Sequence, residues 1–174
     1  MSVSGIDFSR LALCDAFDLA ILIEQEAEER YEEFAHQMEI HHTPEAAEFF
    51  HRMAQNEARH GARLAQQRTT RFGDAPRLVT RAMLWDVEAP DYDQTRAFMT
   101  VRQAMQAALQ AEEKAHAFFV AVLPQAHDPE VRALFTELRD EEILHQALVT
   151  SELEKLPPDP AVGPDAFEDD PTAQ

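Results

Sequence analysis

Apolar side chains recur every three or four residues in four stretches of the chain, which is the spacing of amphipathic α-helices. The four predicted helices span about residues 13–39, 44–69, 100–123 and 129–156. Glycine is scarce, at four residues, and the chain length suits one domain with a substantial core. We therefore predict an all-α protein whose single domain covers residues 13–156.

The connections between the predicted helices indicate how the helices pair. A short turn at residues 41–43 makes the first two helices an antiparallel hairpin, and a similar short connection joins the last two. Residues 70–99 contain Gly73 and Pro76 and show no sustained period, and roughly thirty residues is too long for a simple turn. We predict a four-helix bundle of two antiparallel hairpins joined by a long crossover loop.

The remaining segments have no helical period. Residues 1–12 are predicted to form a loosely held N-terminal arm, and residues 157–174 an acidic, proline-rich disordered tail. Within the crossover, Met83, Leu84 and Trp85 are expected to hold the loop against the bundle.

Helix start signals support these boundaries. Helices two and four begin alike, with a capping side chain, a proline and an acid at Thr43–Glu45 and Asp128–Glu130. Thr100 and Gln103 predict a capping box on the third helix. Asp15 or an earlier residue is expected to cap the first.

Net charge, cysteine content and hydropathy limit the possible partners of the protein and its location. The net charge of −18 argues against nucleic acid and anionic membrane surfaces as partners. The single cysteine, Cys14, excludes a disulfide framework, a zinc ribbon and a rubredoxin-type iron centre, because each needs several thiols. With no long apolar run and no signal peptide, we expect a cytoplasmic protein with no membrane partner.

Two Glu-x-x-His pairs stand in the middle of apolar stripes, Glu57/His60 on helix two and Glu142/His145 on helix four. Residues three apart on a helix point the same way, so this spacing can hold a metal ion. The remaining pairs with this spacing do not lie in the middle of an apolar face: Glu33/His36, Glu39/His42, Glu48/His51 and Glu113/His116.

Glu24 and Glu112 occupy the centres of the other two stripes. A carboxylate there must be protonated, paired or bound to metal, since a bare buried charge is prohibitively unfavourable. The helix rise places Glu24 level with Glu57. Gly61 is expected to leave room for close approach of a neighbouring helix.

Together these positions supply four carboxylates and two imidazoles, and four negative charges balance two divalent cations. Mixed oxygen and nitrogen ligation suits iron or manganese, with zinc a further occupant. We predict two such metal ions as the cofactor, with iron among the candidates. The predicted metal ligands, which are also the predicted catalytic residues, are Glu24, Glu57, His60, Glu112, Glu142 and His145. Tyr31 is expected to pack in the core and to make one hydrogen bond. His116 is expected to contact a metal ligand, to pack in the core or to be an extra ligand.

Over about residues 13–156 the sequence resembles the rubrerythrin family of the ferritin-like superfamily. Glu24 followed seven residues later by Tyr31 resembles the first-helix pattern of this family, and the two buried Glu-x-x-His pairs and Glu112 match its other ligand positions. The resemblance implies a ferritin-like bundle with a dinuclear iron site, often dimeric, and peroxide-reducing or iron-oxidising chemistry.

The sequence departs from the family pattern at two residues and in domain content. Ala115 stands where rubrerythrins carry an additional Glu, which leaves six ligands and is more similar to bacterioferritin. Phe119 replaces the second Tyr. With a single cysteine these residues cannot form a rubredoxin domain, so a reductive cycle is expected to take electrons from another protein.

The leading prediction is a di-iron oxidoreductase that reacts with O2 or H2O2, as a ferroxidase or peroxidase, in a homodimer. Non-enzymatic iron buffering or delivery within a larger assembly is an alternative, so enzymatic activity remains open. A hydroxylase of a hydrophobic substrate would need an apolar channel beside the metals. The remaining alternative is a purely structural bundle.

Overall fold

The computed structural model describes residues 6–83 and 100–157. The long helices are α1 (Leu13–Ile40), α2 (Pro44–Phe72), α3 (Val101–Val122) and α4 (Pro129–Lys155), with a 3-10 helix at Arg81–Met83. The described residues contain helices and no strands, and the predicted all-α four-helix bundle is confirmed. The proposed contacts of Leu84 and Trp85 and the predicted tail beyond Pro157 lie outside the described residues.

α1 packs along α2, and α3 packs along α4. The α1–α2 turn is tight, and His42 adopts a left-handed backbone conformation with φ of 58°. In this turn the Thr43 hydroxyl donates to the Met38 carbonyl at 2.9 Å. Thr43 therefore makes no side-chain cap for α2, and the sequence prediction was wrong on this point.

The caps of the other helices are mixed. The Asp128 carboxylate accepts a hydrogen bond from the Glu130 amide at 2.7 Å and caps α4. Thr100 and Gln103 form the predicted capping box of α3. α1 begins after Ala12, which has no capping side chain, and Asp15 lies within the first turn.

The apolar core is divided into two clusters along the bundle axis. The cluster at one end includes Phe17, Leu64, Phe118, Phe119 and Phe135. The cluster at the other end includes Tyr31, Met38, Phe50, Met105 and Val149. Along each long helix, the buried polar residues of the centre described below fall between these two sets.

Phe8 anchors the described part of the predicted N-terminal arm, residues 6–12. Phe8 is buried, and its ring meets Phe118 and Phe135 edge-to-face, with centroid separations of 5.9 Å and 6.5 Å. One aromatic residue is enough to anchor a short arm, and a lone Phe produces no periodic signal.

A buried ion pair connects α1 with the end of α2. Arg68 donates to both carboxylate oxygens of Asp18, at 2.5 Å and 3.0 Å. The same guanidinium donates to the carbonyl of Ala75 at 2.8 Å, so it also fixes the start of the crossover.

Within the described part of the chain, no helix combines the length and hydropathy needed to span a membrane.

Candidate metal centre

The six predicted ligands meet in the polar layer between the two core clusters. Each helix contributes at least one: α1 carries Glu24, α3 carries Glu112, and α2 and α4 carry one Glu-x-x-His pair each. All are buried except His60, whose side chain is 25% exposed. Four carboxylates and two imidazoles thus converge in one interior layer.

Glu57 lies between the two histidines. Its Oε1 is 3.4 Å from Nδ1 of His145, and its Oε2 is 3.7 Å from Nδ1 of His60. The imidazole rings are nearly parallel, with centroids 5.3 Å apart and an interplanar angle of 7°. Glu57 is therefore placed to share its two oxygens between two cations, one beside each ring.

Each histidine also lies near one carboxylate other than Glu57. Nδ1 of His145 lies 3.4 Å from Oε2 of Glu112, and Nδ1 of His60 lies 3.8 Å from Oε2 of Glu24. Ligand-capable atoms of Glu112, Glu142 and His145 all lie within 4.8 Å of one another. This grouping can hold a cation at the His145 end.

The grouping at the His60 end includes a residue that the sequence prediction missed. Ligand-capable atoms of Glu24, His60 and Glu141 lie within 4.8 Å of one another. Glu141 follows Leu138 by three residues and precedes His145 by four, so it lies at the edge of the inward face of α4. That position was the available signal.

Burial and neighbouring charges shift the pKa values of the centre. Burial raises the pKa of Glu24 to about 7, although a hydrogen bond with Glu57 acts in the opposite direction. Burial also lowers the pKa of His60, which favours the neutral imidazole that binds metal. For His145 burial lowers the pKa, but the hydrogen bond with Glu112 and the surrounding carboxylates outweigh this effect and raise the pKa overall.

Tyr31 supports the centre through one hydrogen bond. Its hydroxyl donates to Oε1 of Glu112, while its ring stacks on Phe50 with centroids 6.1 Å apart. Ligand-capable atoms of Glu57, His60 and His145 form a third such group. His116 is half-buried and belongs to none of the three groups among the described residues. The structure thus brings Tyr31, but not His116, to the ligand set.

Gly61 lies against Glu24 of α1, but the space there does not require glycine. A Cβ added there would lie 3.5 Å from Cβ of Glu24, which is ordinary van der Waals contact.

The Glu-x-x-His pairs outside the apolar stripes lie at the surface, as their angular positions on the helices predict. Glu33, Glu39, Glu48 and Glu113 are all exposed.

The donor set fits divalent cations. Buried carboxylates in mutual contact repel one another unless protons or cations offset their charge. Nδ1 of His60 and Oε2 of Glu141 are buried and have no hydrogen-bond partner among the described residues. Two cations with oxygen and imidazole ligands would offset the charge and coordinate such atoms.

Comparisons with known proteins agree with this geometry. The family model described as Rubrerythrin matches residues 15–153. The fold is similar to the crystal structure of an uncharacterized conserved protein from Magnetospirillum magnetotacticum MS-1, with 28% sequence identity and a TM-score of 0.68. The similarity covers 84% of this chain and 97% of that one. No curated protein matches the chain.

Proposed function

Because the chain belongs to the rubrerythrin family, we propose that it is a di-iron oxidoreductase that reacts with O2 or H2O2. The observation that carries this proposal is the position of Glu57, whose two oxygens face Nδ1 of His60 and Nδ1 of His145. A carboxylate shared in this way suits two metal ions held side by side. Glu24 would complete the first site, and Glu112 and Glu142 the second.

Two ferrous ions bound here would supply two electrons, which is the number needed to reduce H2O2 to water. The protein residues hold the ligands and balance their charge. Tyr31 donates to Glu112 and fixes the orientation of that carboxylate, as partners of metal ligands generally do. We further propose that electrons come from another protein, and that the active form is a homodimer.

Aerobic addition of Fe(II) to the metal-free protein tests the proposal. We expect ferric charge-transfer absorption in the near ultraviolet, complete at about two iron ions per chain. Glu57→Ala should lose most of this absorption, because both sites share that carboxylate. Glu33→Ala is the matched control, since Glu33 belongs to an exposed Glu-x-x-His pair.

The outcomes separate oxidation from simple binding. Absorption that is equal in wild type and Glu57→Ala would contradict the assignment of the centre. Stoichiometric Fe(II) binding without ferric absorption would contradict the oxidoreductase proposal and favour iron buffering.

A further inference from the structure

Glu141 and Glu142 are adjacent in sequence but belong to different ends of the centre. Glu142 groups with Glu112 and His145, whereas Glu141 groups with Glu24 and His60. Consecutive residues on a helix diverge by about 100°, so α4 can present one carboxylate towards each imidazole. Of these two residues, only Glu142 belongs to the six ligands predicted from the sequence.

The two oxygens of Glu141 have different surroundings. Oε1 accepts a hydrogen bond from Nη2 of Arg63 at 2.6 Å. Oε2 is buried and has no hydrogen-bond partner among the described residues, as is also true of Nδ1 of His60. One oxygen is therefore held by a guanidinium, while the other is available to a cation that His60 would also contact.

Arg63 offsets the additional charge of this carboxylate. Four carboxylates balance two divalent ions, and a fifth would leave an excess negative charge in the layer. Arg63 of α2 supplies one positive charge beside Glu141, and its side chain is 41% exposed. It also lies 3.2 Å from Glu137, whose side chain is 51% exposed.

We propose that Glu141 is a seventh ligand of the centre, binding the metal ion at the Glu24/His60 end, and that Arg63 positions it there. This inference rests on the proposed function only in requiring that the centre binds two metal ions. The simpler alternative is that Glu141 serves only as an ion-pair partner between α2 and α4.

Calorimetric titration of the metal-free protein with Zn(II) tests the inference without redox chemistry. We expect Glu141→Gln to weaken binding of one of the two ions by at least tenfold, because a neutral amide is a poorer metal ligand than a carboxylate. Glu137→Gln removes the other partner of Arg63 and should stay within twofold of wild type. Equal affinities in wild type and Glu141→Gln would overturn the proposal.

A crystal structure of the wild-type protein with zinc provides a second measurement that does not depend on how a variant folds. Anomalous scattering should place one ion with a Glu141 oxygen at about 2.0–2.2 Å. Two bound ions with Glu141 still directed only at Arg63 would overturn the seventh-ligand role but leave the metal centre intact. No bound zinc in the wild type would overturn both proposals.

Discussion

At the scale of single residues, Glu24 shows most directly how burial and charge conflict in the centre. Only 5% of the residue is exposed, and Glu112 and Glu141 lie close enough to repel the charge of its carboxylate. Burial raises its pKa from the ordinary value of 4.5 to about 7. In the metal-free protein, Glu24 therefore holds a proton over a pH range in which the unfolded chain has released it.

We predict that Glu24 makes the metal-free protein less stable as the pH rises from about 5 to about 7.5. In this range the folded state binds more protons than the unfolded state, so raising the pH favours unfolding. Urea unfolding with a chelator present should show wild type losing about 1–3 kcal/mol more than Glu24→Gln across the range. The variant is the control for all other titrating groups, and parallel pH profiles would contradict the prediction.

The angular positions of residues on their helices predict that the six candidate ligands face the interior, but they do not predict that Glu141 joins them. Glu57 and Glu142 occupy the middle of their stripes, so counting along each helix was enough to find them. Glu141 lies at the edge of a stripe, where a side chain can turn towards solvent or inward. Its carboxylate accepts a hydrogen bond from Arg63, which comes from another helix and from nearly eighty positions earlier in the chain.

At the scale of the helices, the Asp18–Arg68 pair fixes α1 against the end of α2. Asp18→Asn is expected to lower the free energy of unfolding by about 3 kcal/mol, because the charge of Arg68 would stay buried without its carboxylate partner. Glu48→Gln is the matched control. It breaks an exposed pair with Arg52 and should change stability by less than about 0.5 kcal/mol.

Urea unfolding of both variants, followed by circular dichroism with a chelator present, measures this difference. A loss in Asp18→Asn no larger than that in Glu48→Gln would show that Ala75 and the other partners of Arg68 suffice without the carboxylate. The chelator removes any contribution from metal binding.

The helices themselves were predictable because their apolar periods are long and regular. Their ends were less so, since local contacts decide them. Thr43 has a residue type suited to capping, but the left-handed turn at His42 brings its hydroxyl to Met38. α2 continues to Phe72, a few residues beyond its predicted end, and stops at Gly73, whose φ is 57°.

At the scale of the whole molecule, a layer of carboxylates separates two apolar clusters that could otherwise be continuous. An entirely apolar interior is expected to be more stable than a layer of like charges, so the layer lowers stability unless protons or cations offset its charge. Ions that bind only the folded state should recover stability. At a free concentration of one hundred times the dissociation constant, each ion contributes about 2.7 kcal/mol.

We therefore predict that Glu57→Gln reverses its stability ranking when metal is added. With a chelator present the variant should be at least as stable as wild type, because it removes one charge from the carboxylate layer. With zinc present wild type should gain about 3 kcal/mol or more and the variant much less, because Glu57 contacts the histidines of both sites. Urea unfolding under both conditions measures the ranking, with Glu33→Gln as the exposed control. If Glu57→Gln were several kcal/mol less stable than wild type even with a chelator present, the carboxylate layer would stabilise the fold without metal. That result would contradict the prediction that the layer serves to bind ions.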